Sequence, residues 1–138
     1  MSHYSEIALE IKSVDCLLEA LQELLNIDKS KIEIHDTPQA LYDYRSTARP
    51  QTAHIIIRKE YVGSASNDMG VKRNDDGTYT LIVDEYSMSA HGYGAKWVNK
   101  LKQKYATKIT LKALNAQGLM GKVKEEKVGN KIKISVTV

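Results

Sequence analysis

The feature that most constrains this chain is an early switch of hydrophobic period. Residues 4–12, YSEIALEIK, put Ile7, Leu9 and Ile11 on one side and Glu6, Ala8 and Glu10 on the other, the period of two of a strand with one buried face. Ser13 then stands as an N-cap, and Val14, Leu17, Leu18, Leu21, Leu24 and Leu25 recur at steps of three and four. That spacing predicts an amphipathic helix over 13–26. A half-buried strand feeding an amphipathic helix needs a sheet to join and a face to cover, which points to helices layered on a sheet.

The rest of the chain supplies the sheet. KIEIHD (31–36) alternates as a short second strand, and HIIIRKEY (54–61) is a strand rich in β-branched residues. Between them, residues 36–53 hold Pro38 and Pro50 among polar turn formers, so an irregular stretch is expected there. GSASND (63–68) is expected as a turn or loop, and 69–86 as a hairpin reversing at NDDG (74–77). From Ala95 the period becomes helical, with Trp97, Leu101, Tyr105, Ile109 and Ala113 in steps of four and Gly118 as the stop. The β-branched run at 107–110 leaves a kink or break open. A last hairpin, turning at Gly129-Asn130, is predicted over 121–138. The expected fold is α+β: a single domain with a mainly antiparallel sheet, two helices on one face, and a ferredoxin-like βαββαβ core with added hairpins.

Composition narrows the chemistry. With 138 residues there is chain for one core. Eight Tyr, one Trp and no Phe suit strands and contact surfaces alike. A net charge of +3 permits an anionic partner without demanding one. The lone Cys16 is expected as a small buried residue in a reducing, cytoplasmic setting. No apolar run has the length of a membrane span, and the N-terminus lacks the layout of a signal peptide, so no membrane partner is expected. His3, His35, His54, His91 and Cys16 are scattered without ligand spacing, and no nucleophile elbow occurs. Neither a metal nor another cofactor is expected, and no catalytic residue is assigned.

Five segments, in order, carry a resemblance: MSHYSEI at the start, the Tyr-Arg pair followed by Thr52-Ala53, DMGV, KWVNKLKQKYA, and NAQGL. Together they resemble the plastid and cyanobacterial conserved open reading frame thirty-five family, a domain of unknown function also present in bacteria and phages. The chain departs from that pattern at SMSAHGYGAK and in a longer loop around Arg49-Pro50. The resemblance implies a small soluble protein without assigned catalytic residues. It also implies an accessory role, since the family's genes often neighbour those of AAA-type ATPases.

Three groups of residues are candidates for contact. The loop 41–51 joins Tyr42, Tyr44, Arg45 and Arg49, the chemistry of binding surfaces. Loop 89–96 places His91, Gly92 and Gly94 before a helix start and Lys96 just inside it, a phosphate cradle or a plain cap loop. Lys96, Lys100, Lys104, Lys108 and Lys112 step by four along the second long helix, with no acidic residue over 87–124. The row is either a solvated face or a basic ridge for nucleic acid, nucleotide or an acidic protein. Ser2, His3 and Tyr4 are expected to anchor the N-terminus to the sheet or to that helix. The first reading is a non-enzymatic binding protein acting through protein contacts, its partner an ATPase. The alternative is a binder of phosphate-bearing ligands, and an enzyme ranks third.

Overall fold

The computed structural model describes residues 4–63, 66–84, 94–118, 123–129 and 131–136. Strand β1 (Ser5–Leu9) leads into helix α1 (Val14–Leu25), then β2 (Ile32–Tyr42), β3 (Ala48–Ile57), a one-turn helix α2 (Lys59–Val62), β4 (Met69–Arg73) and β5 (Tyr79–Val83). Helix α3 (Ala95–Ala116) and the hairpin β6 (Val123–Val128) and β7 (Lys131–Val136) follow. Helix α1 begins where Ser13 Oγ accepts the N–H of Cys16 at 3.3 Å and ends at Asn26, whose φ of 52° is the left-handed cap. Helix α3 runs unbroken through its β-branched run, where the hydroxyls of Thr107 and Thr110 donate back to the Gln103 and Ala106 carbonyls at 3.0 Å.

Strands β1 to β5 form one antiparallel sheet in the order β1-β5-β4-β3-β2. The row Ile7, Leu81, Val71 and Ile55 lies on one face, and the row Glu6, Ile82, Gly70 and Ile56 on the other. Both long helices cover the first face. Leu17 and Leu21 of α1 and Trp97, Val98 and Leu101 of α3 join Leu9, Ile55, Val71 and Leu81 in the main core. The Tyr105 hydroxyl fastens α3 to the β1–α1 corner by accepting the N–H of Lys12 at 2.6 Å and of Ser13 at 3.1 Å. The α+β class and the mainly antiparallel sheet are as expected. A ferredoxin-like sheet would take its closing strand from the segment after the second helix. Here the strands after α3 pair with each other in a separate two-stranded sheet.

The stretch expected to be irregular is the longest hairpin of the chain. HIIIRKEY correspondingly stops being a strand at Ile57, and α2 takes up its end. Both prolines are tolerated for a reason visible in the register. Ile34 opposes Ile55 while Gln39 opposes Ala53, so five steps along β2 match two along β3. Pro38 sits inside that bulge, where its missing N–H costs no ladder bond. Pro50 lies in the half of β3 beyond Ile55–Ile57, the part that pairs with β4, so one of its sides carries no ladder.

The bulge folds the distal half of the hairpin over the back of the sheet. Leu41 and Ala53 there meet Ile56, Ile82 and Tyr4 in a second small core. The approach is so close that a Cβ on Gly70 would stand 2.5 Å from the Ala53 Cβ and 3.1 Å from Leu41. Glycine at this position is therefore required by space, not by backbone angle. Gly70→Ala is expected to cost about 1–3 kcal/mol in urea unfolding. Adding Ala53→Gly should recover part of that loss, whereas a Gly70→Ala protein as stable as the parent would contradict the close approach.

Candidate functional site

The tip of the folded-back hairpin is built by Asp43. Its backbone N–H donates to the Thr47 carbonyl at 3.0 Å, and Ser46 N–H donates to the Asp43 carbonyl at 2.8 Å. Ser46 takes a φ of 61°, and the Asp43 Oδ1 accepts the N–H groups of Arg45 at 2.9 Å and Thr47 at 3.0 Å. Asp43 is thereby buried, while Tyr42, Tyr44 and Arg45 stay exposed. The Arg45 guanidinium lies 5.2 Å from the Tyr44 ring centre, a cation–π pair displayed at the turn. Arg49 of β3 reaches back toward Asp43, at 3.8 Å between Nη1 and Oδ2.

Beneath the tip lies a polar platform. The Asp68 side chain is fully buried and takes three hydrogen bonds of 2.8 Å: Oδ2 from the Tyr42 N–H and Arg58 Nη1, Oδ1 from the Lys59 N–H. Arg58 also donates Nε and Nη2 to the two oxygens of Glu33, at 2.6 and 2.9 Å, and Nη1 to the Ala40 carbonyl at 3.2 Å. Glu33 and Ala40 lie on either side of the bulge in β2, so one guanidinium holds the bend closed. Asn67 Oδ1 accepts the Tyr44 N–H at 2.8 Å, and its amide donates to the buried Asp84. The Tyr4 hydroxyl donates to the Asp68 carbonyl at 2.7 Å. Burial first, then the charges of Asp68 and Asp84, raise its pKa far above the usual phenol value and keep it a donor.

The roles of Arg58, Asn67 and Asp68 are not legible in the sequence, where GSASND reads as a turn or loop, and its described residues are indeed irregular. Ser66, Asn67 and Asp68 are nevertheless buried. A signal did exist: Arg58 directly follows the apolar run 55–57, and a cation at the end of a buried strand calls for an acidic partner.

The lysine row is partly paired. Lys104 Nζ lies 2.9 Å from Glu23 of α1, and Lys108 bonds the other oxygen of the same carboxylate. Lys112 Nζ donates to Ser13 Oγ at 3.4 Å. The neutralising acid missing from residues 87–124 is supplied by the neighbouring helix, because packing α1 beside α3 sets Glu23 against the row. Lys96 and Lys100 remain exposed, and Gly94 precedes the helix without a side-chain cap. The lysines ride on the helix layer, whereas the Tyr/Arg hairpin belongs to the layer behind the sheet. Ser2, His3, His91 and Gly92 lie outside the described residues. Among the described residues no group of three His, Cys, Asp or Glu is placed to hold a metal ion.

Two measurements probe the platform. Arg58→Met leaves Asp68 buried without its cation and is expected to cost about 3–5 kcal/mol in urea unfolding. Glu33 is held below the usual carboxylate range, chiefly by the Arg58 hydrogen bonds and then by His35. Its contribution is therefore complete above the unfolded-state value and is lost as pH falls through the folded one. Glu33→Gln should lower neutral-pH stability by about 1 kcal/mol or less, its carboxylate being partly exposed, and should flatten the acid limb of the stability curve.

The family model described as Protein of unknown function (DUF1257) matches residues 20–137, most of the chain, and the chain belongs to that family. No curated protein and no solved structure matches it.

Proposed function

We propose that this member of the family is a non-catalytic binding protein whose contact surface is the tip of the β2–β3 hairpin. The observation that carries the reading is the exposed set Tyr42, Tyr44 and Arg45 standing on side chains that are buried and bonded. Tyrosine and arginine are the residues that dominate contact energetics, and a tip fixed from below loses little entropy when a partner docks. Within the family we place the chain beside the open reading frame thirty-five proteins, on its MSHYSEI, DMGV, KWVNKLKQKYA and NAQGL segments. The partner we favour is an AAA-type ATPase, the association that this resemblance implies, met in the cytoplasm. No helix among the described residues is long and apolar enough to cross a membrane, which accords with a partner in solution. The alternative reading, a phosphate ligand or nucleic acid held by Arg45, Arg49 and the α3 lysines, is weaker because Glu23 engages Lys104 and Lys108.

Tagged chain captured from its native cell should bring down a stoichiometric protein. Tyr44→Ala with Arg45→Ala should lose that protein while its unfolding free energy stays within about 0.5 kcal/mol of the parent, as exposed substitutions do. Equal recovery by the double variant would remove the hairpin tip from the interface. A gel shift of nucleic acid at low salt, abolished by the same two substitutions, would favour the alternative.

A further inference from the structure

The bend that folds the hairpin back leaves a crease between Pro38 and the β4–β5 turn, and a cavity of about 490 Å³ opens there. His54 of β3 and Lys72 and Arg73 of β4 line it, with Asp75 at the turn. The His54 ring is held in one tautomer. The backbone N–H of Arg73 donates to Nδ1 at 3.0 Å, so the proton of the neutral ring sits on Nε2 and is available to an acceptor. Burial, then the charges of Arg73 and Lys72, pull the ring's pKa below its ordinary value and favour that neutral form.

Among the described residues neither Lys72 nor Arg73 makes an ion pair. Two cations lining one cavity with a histidine leave positive charge unbalanced there. Such a cluster becomes favourable when an anion enters. To an oxyanion entering the crease Lys72 and Arg73 offer positive charge, and the His54 Nε2–H offers a directed donor. We infer that this crease binds a phosphate group carried by a small molecule. The site is separate from the hairpin tip and stands whether or not that tip meets a protein. Asp75, the one acid lining the cavity, opposes the anion and so provides a variant of opposite sign.

The test uses the full chain, isotopically labelled at histidine, with the His54 ring signals followed as inorganic phosphate replaces chloride at constant pH and ionic strength. A saturable shift is expected. Lys72→Ala should weaken it by about tenfold, the worth of one charge-assisted contact, and Asp75→Asn should tighten it. A gain of affinity cannot come from misfolding, so the Asp75 arm holds even if Lys72→Ala is unstable. A nucleoside monophosphate binding at least as tightly as inorganic phosphate supports a carried phosphate group. Failure of the nucleotide to bind where phosphate does would overturn that part. A shift that never saturates, or affinities indifferent to both substitutions, would overturn the site itself.

Discussion

The ion pair between Arg58 and Asp68 is the constraint on which the back of this protein depends. Asp68 is fully enclosed, and a carboxylate in that position is tolerable only when its lone pairs are all answered. The answers come from three places: the end of β2, the start of α2 and the Arg58 side chain. Satisfying one buried charge therefore dictates where the long hairpin must lie. The same guanidinium bridges the bulge through Glu33 and the Ala40 carbonyl, so the bend and the buried acid are solved together. Hydrophobic contact then completes what the charges position, with Leu41 and Ala53 closing over Gly70.

Much of the helix side of the molecule was legible in the residues. The three-and-four spacing of α1, the Ser13 cap and the Asp-Gly reversal before β5 are local signals, and local signals survive folding. The back of the sheet was not legible, for physical reasons. Pro38 and Pro50 weigh against strands in any local reading, and only the register shows that one falls in a bulge and the other on an unpaired flank. Asn67 and Asp68 look like turn formers because their partners, Tyr44 and Arg58, lie far along the chain. The pairing of the lysine row is hidden for a related reason: no acid lies along the helix itself, while Glu23 meets Lys104 and Lys108 from the neighbouring helix.

The candidate contact residues sort by the same logic. Tyr42, Tyr44, Arg45 and Arg49 could be singled out as surface chemistry because one short stretch, 41–51, carries them all. What makes them a prepared surface, the Asp43 turn and the Asn67–Asp68 shelf beneath it, is tertiary. His54 shows the reverse case. In sequence it is one of several scattered histidines, and it gains a defined donor only because the β3–β4 pairing brings the Arg73 amide to its ring.

The place of β1 has a consequence for how the chain comes together. Among the described residues its only ladder is to β5, from Ser5 against Val83 to Leu9 against Tyr79. During synthesis, α1 and its apolar side, with Leu17 and Leu21, emerge long before that ladder can close. The meander β2 to β5 must form first and offer its outer edge, so docking of the first strand is a late, long-range step. Until then the leading segment is an unpaired strand joined to a helix with nothing to cover, the kind of species that chaperones hold.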